Sequence, residues 1–183
     1  MQWLARVSSW KVAGIFLAVN FAIQAIMVIG IYPGISENLK PLDFQMNLTA
    51  ETIQQYLTTI GEDGRALYSF NLILPDMLFP LCYACAYALV LMQLIKGCDQ
   101  AQSPLQYFPL LPLVVALCDI IENIHILTAI RQFPELPPET TSWLVAANTG
   151  KYIVAMIVLT TLTVLGCWFA VIKLSTPYTY VDE

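Results

Sequence analysis

The chain has 183 residues, of which 58% are hydrophobic and 11% charged, with a formal net charge of −5. Soluble domains run at about 45–50% apolar and about 25% charged, so a mean hydropathy of +0.67 sets this protein apart from ordinary cytosolic enzymes. Eight Lys plus Arg residues provide no basic surface for nucleic acid, and the high apolar content excludes a disordered chain.

Four stretches are long and apolar enough to cross a bilayer, which takes about 20 helical residues. The first runs from Lys11 to Tyr32. Its apolar run is too long for a signal-peptide core, and Tyr32-Pro33-Gly34 offers no small-x-small cleavage site, so a retained span is expected. The connection from Pro33 to Arg65 is the only long one. Within it, Thr49 is placed to cap a helix over 49–60, Glu51 lies in the first turn and Gly61 closes the end. Ile53, Tyr56, Leu57 and Ile60 recur at i, i+3, i+4 and i+7, giving one apolar face. Such a helix is expected along the membrane interface or as a cover over the spans, and a plain connecting helix is an equal reading.

The second span runs over Ala66–Ile95, with Pro75 and Pro80 inside it. Each proline lacks an N–H, so the carbonyls of Asn71 and Asp76 should lose their helical partners and the helix should bend. Such carbonyls at membrane depth must be satisfied by protein, water or a ligand. The third span covers Leu105–Ile130 and the fourth Ser142–Ile172. Together these elements predict an all-α integral membrane protein with one domain over 1–183. Its expected form is a four-transmembrane-helix antiparallel bundle with a short amphipathic helix in the long loop between helices 1 and 2. Arg6, Lys11, Lys96 and Lys173 fall on one side, against Lys40, Arg65 and Arg131 on the other. The positive-inside rule then puts both termini in the cytoplasm.

Ionisable residues inside the spans carry the functional signal: Asp76 in the second, Asp119, Glu122 and His125 in the third, Lys151 in the fourth. A charge near a helix centre costs about 2.5–3.5 kcal/mol on insertion scales, so such groups face inward and find partners. Asp119, Glu122 and Asn123 share a helix face, as do Asn148 and Lys151, and Asn20 with Gln24. Counting residues from the span ends brings Asp76, Glu122 and Lys151 to one level, roughly 15 Å below the non-cytoplasmic surface. Tyr83 and Tyr87 follow Asp76 at i+7 and i+11 and lie on its face.

These residues predict a polar cavity that binds a lipid-like or amphipathic small molecule. Asp76, Asp119, Glu122, Asn123, Asn148, Lys151, Tyr83 and Tyr87 are the expected ligand-binding set. Asp76, Asp119, Glu122 and His125 are the candidates for acid/base chemistry on the ligand. A network that merely fixes helix register is the competing explanation. Other readings are a non-catalytic accessory subunit of a larger membrane complex and proton or cation transport along the polar stripe. His125 is the only histidine and stands in no tight multi-ligand motif, so no metal site is expected, and no particular cofactor is indicated. Membrane lipid is the expected surrounding, and self-association is an open possibility. Cys82-Tyr-Ala-Cys85 resembles the CxxC of four-helix membrane oxidoreductases that pass electrons from thiols to quinone. That resemblance implies thiol redox through Cys82 and Cys85. Such enzymes also need a shuttle pair in an outer loop, and the segment from Pro33 to Arg65 contains no cysteine. Packing of small, polarisable cysteines between helices accounts for the pair more cheaply.

Overall fold

Among the described residues every regular element is helical, and four of the continuous helical stretches are long and apolar enough to cross a membrane. The computed structural model describes residues 2–175. Position 1 and residues 176–183 lie outside it, and with them both ends of the predicted 1–183 domain and the predicted cytoplasmic C-terminus. The short α1, Gln2–Val7, precedes α2, Trp10–Ala25, whose first turn is capped by the Ser9 hydroxyl accepting from the Val12 N–H. A π-helical stretch over Ile26–Ile31 and the single turn α3, Tyr32–Ile35, continue α2 into one apolar stretch, Trp10–Ile35. Most of its side chains are exposed; Ala13 and Asn20 are the buried positions of α2. A protein surface this apolar suits lipid rather than water.

The long connection does more than link two helices. Leu42–Phe44 forms a 3-10 turn in which Leu42 and Asp43 are buried. The helix α4 follows over Ala50–Thr59, and Thr49 caps it as predicted. The Thr49 hydroxyl accepts from the Thr52 N–H, and the Thr52 hydroxyl accepts from the Thr49 N–H, making a reciprocal capping box. Gly61 closes the helix at φ +67°, a left-handed conformation that glycine adopts without steric cost. The apolar face of α4 does not meet lipid. Ile53, Tyr56 and Leu57 are buried against Tyr68, Leu72, Ile126 and Leu144, because the chain folds this face onto the neighbouring helices.

The second long stretch is broken where the prolines predicted. Helix α5, Gly61–Ile73, ends at Leu74, and α6 restarts at Pro75 and runs to Gly97, with Pro80 inside it. Leu74 has φ −115° and ψ −75°, well off helical values, and Pro75 occupies the first turn of α6, where its missing N–H costs least. The third stretch opens as a 3-10 helix, Pro104–Leu110, and becomes α7, Leu111–Gln132. The last helix, α8, covers Pro138–Ser175. Helix α7 packs along α8, whereas α2 packs chiefly on α6.

Two apolar cores form between these helices. One gathers Ile31, Tyr68, Leu72, Ile126 and Leu144 with the buried face of α4. The other gathers Tyr83, Leu91, Val115, Val158 and Leu165. The buried polar residues Asp76, Asp119, Glu122, Asn123 and Asn148 fall in sequence between the two core sets on each helix. On α5–α6 and on α8 the first core precedes them; on α7 it follows.

Candidate functional site

Lys151 is the hub of the polar layer. Its ammonium donates to Asp119 Oδ1 at 3.1 Å and to the Asp43 carbonyl at 2.9 Å, and it pairs with the Glu122 carboxylate. An ammonium has three N–H donors, so this set uses all of them. Glu122 is fully buried and takes a further hydrogen bond from Asn148 Nδ2 at 2.7 Å. The other Asp119 oxygen accepts from the Tyr83 hydroxyl at 3.0 Å. Helix α7 and the Leu42–Phe44 turn thereby meet the cation of α8 directly, and α6 joins them through Tyr83 and Asp119.

The carbonyl of Asp76, deprived of an N–H partner by Pro80, is satisfied from another helix. Asn123 Nδ2 donates to it at 2.8 Å. Pro80 and the buried Asn123 are therefore halves of one arrangement. The Asp76 side chain has a different situation: it is buried, and its Oδ2 has no hydrogen-bond partner among the described residues.

A cavity of about 400 Å³ opens beside this layer. Its polar end comprises Asn20, Gln24, Asp43, Asp76, Asp119 and Lys151. Phe79, Tyr83, Tyr87, Val115 and Val158 form apolar walls, and the exposed Phe21, Phe44 and Leu159 stand at its rim. Because α2 leans on α6 and meets α8 through Trp10 and Phe169, with ring centroids 6.0 Å apart, the rim lies in the gap between α2 and α8. Tyr83 and Tyr87 both reach the cavity, as their shared face with Asp76 implies.

The predicted binding set divides. Asp76, Asp119, Lys151, Tyr83 and Tyr87 line the cavity, whereas Glu122, Asn123 and Asn148 do not. Those three lie behind the wall and are spent on holding it. His125 is joined to neither Asp119 nor Glu122 by a hydrogen bond or ion pair; its ring stacks on Trp143, with centroids 6.2 Å apart and planes 7° from parallel. Six residues of helix separate it from Asp119, which turns it about 110° away from the middle of the Asp119–Glu122–Asn123 face. Cys82 and Cys85 are free thiols, partly exposed, and outside the cavity lining. No residue of α4 lines the cavity; Phe44, next in the chain to Asp43, stands at its mouth instead.

Asp43 is the residue that sequence reasoning missed. In a polar loop an aspartate is unremarkable, and its one signal is the apolar pair around it, Leu42 and Phe44. Its carboxylate accepts from the Tyr68 hydroxyl at 2.7 Å, and that hydroxyl accepts from the Leu42 N–H at 3.1 Å. Its carbonyl also accepts from Tyr152 at 3.2 Å. Burial pushes the Asp43 carboxyl above the usual carboxylate range, against the opposing pull of Lys151 and the Tyr68 hydroxyl. A raised folded-state pKa means that the folded protein holds this proton more tightly than the unfolded chain does. The associated stability is complete below the unfolded value, roughly 3.9, and is lost as pH rises through the folded value. The Asp43→Asn variant, which keeps the acceptor for Tyr68, is expected to flatten that decline. Unfolding in detergent across a pH series checks this; parallel wild-type and variant profiles would refute it.

Comparison with family models, with curated proteins and with solved structures gave no significant match to this chain.

Proposed function

We propose that the protein is a four-span membrane protein that binds a lipid-like or amphipathic small molecule in the cavity between α2 and α8. The four helices would form an antiparallel bundle with both termini cytoplasmic. The reversed order of the two cores along α7, relative to α6 and α8, supports that arrangement, as does the basic-residue count across the loops.

One observation carries the binding reading: a cavity of about 400 Å³ joins charged groups at its inner end to exposed apolar side chains at its rim. This volume falls within the roughly 300–1,000 Å³ of small-molecule sites. An amphiphile fits both ends at once, with its headgroup beside Asp76 and Asp119 and its tail leaving past Phe21 and Leu159 into lipid. Entry from the side, between helices, spares the ligand a passage through water. Asp76 is the group suited to proton transfer at the headgroup, since it faces the cavity and one of its oxygens has no fixed donor.

Mass spectrometry of material extracted from protein purified in mild detergent tests the proposal. The wild type is expected to carry an enriched amphiphile that a Leu159→Trp variant, with a bulkier side chain at the mouth, loses. Identical lipid profiles for the two proteins would overturn it. Obligate co-purification with other chains, with no enriched amphiphile, would overturn it in favour of the accessory-subunit reading.

A further inference from the structure

At the polar end of the cavity the uncommitted donors are the side-chain amides of Asn20 and Gln24, and the charged groups offer acceptors only. Lys151 spends its N–H groups on Asp119, Glu122 and the Asp43 carbonyl. The Tyr83 hydroxyl is committed to Asp119 and the Tyr152 hydroxyl to the Asp43 carbonyl. Two acceptors are left buried without a partner among the residues lining the cavity: Asp76 Oδ2 and Asn20 Oδ1, each on a residue 3% exposed. Charge runs the same way. Four buried acidic residues, Asp43, Asp76, Asp119 and Glu122, stand against a single lysine, which pairs with Asp119 and Glu122, and among the described residues Asp76 takes part in no ion pair. A buried carboxylate oxygen without a donor costs more than most unmet polar groups, so a ligand that donates to it gains correspondingly. An anionic headgroup would meet carboxylates and a lysine with no N–H to spare.

The geometry points to a ligand whose headgroup is a protonated amine bearing at least one N–H, held by Asp76 Oδ2 and Asn20 Oδ1, with its apolar tail passing between α2 and α8. This specifies the ligand class of the cavity proposed above and rests on that reading. An organic cation suits the site better than an inorganic one, because the acidic side chains do not converge as a metal-ligating group among the described residues, and most of the cavity wall is apolar.

Four probes of equal chain length separate the alternatives: dodecylamine, dodecyltrimethylammonium, dodecanol and dodecanoate. Each is titrated at matched mole fraction into protein purified in a non-ionic detergent, with saturable thermal stabilisation as the readout. Dodecylamine is expected to bind at least about tenfold more tightly than dodecanol or dodecanoate. It is also expected to exceed the trimethylated probe, which carries the charge without an N–H, by about tenfold. Asp76→Asn should remove about tenfold of the dodecylamine affinity and much less of the dodecanol affinity, since the hydroxyl brings no charge to the carboxylate. Asn20→Leu gives a second, independent loss should the Asp76 variant fold poorly. Equal binding of dodecylamine and dodecanoate, or an amine affinity indifferent to both substitutions, would overturn the amine assignment and leave the cavity reading standing. Saturable binding of none of the four would overturn both.

Discussion

Replacing Lys151 with methionine is expected to cost about 3–5 kcal/mol of unfolding free energy, the range for stranding one side of a buried ion pair. The Lys151 side chain is 12% exposed, Asp119 10% and Glu122 not at all, so water does little to screen what remains. Methionine matches the length of the stem and removes only the ammonium. Asp119 and Glu122 then face one another without a cation, and the Asp43 carbonyl loses a donor. The variant's deficit should shrink in a Glu122→Gln background, where less charge is left stranded. A denaturation cycle over the two single variants and the double variant in detergent measures this coupling. Additive losses, or a Lys151→Met cost under about 1 kcal/mol, would show that the layer is held by packing and not by this charge set.

That dependence explains which parts of the site the sequence could reveal. Spans are legible because bilayer-length apolar runs stand out whatever they pack against, and the break before Pro75 is legible because proline acts on its own backbone. Asp119, Glu122 and Lys151 are legible for a related reason: charge within a span is costly enough to imply a partner. Neighbours on one helix follow from periodicity, so the common face of Asp76, Tyr83 and Tyr87, which all line the cavity, is legible. His125 lies three residues after Glu122, and that further step carries it off the shared face to stack on Trp143. Asp43 and the course of the Leu42–Phe44 turn were not legible, since a loop has no periodicity to report where it goes. The amphipathic stripe of α4 is legible as an apolar face, but the stripe alone does not distinguish lipid from protein as the thing that covers it. The rim between α2 and α8 is likewise a property of how α2 leans, which no local pattern encodes.

Asn123→Ala should lose about 1–3 kcal/mol for the stranded carbonyl of Asp76, with a further cost for the space left by a side chain that is wholly buried. The cause is specific and can be isolated. Asp76 needs an interhelical donor because residue 80 is a proline; alanine there would return an N–H four residues along and let the helix satisfy its own carbonyl. In a Pro80→Ala background the Asn123→Ala loss is therefore expected to fall by about 1 kcal/mol, leaving mainly the packing term. Unfolding of the two single variants and the double variant in detergent gives the coupling directly. If Asn123→Ala costs the same with either residue at position 80, the hydrogen bond at 2.8 Å is incidental to stability. A positive coupling would instead make the proline and the asparagine a single device. The bend would keep Asp76 turned toward the cavity, and α7 would supply the hydrogen bond that the bend removes.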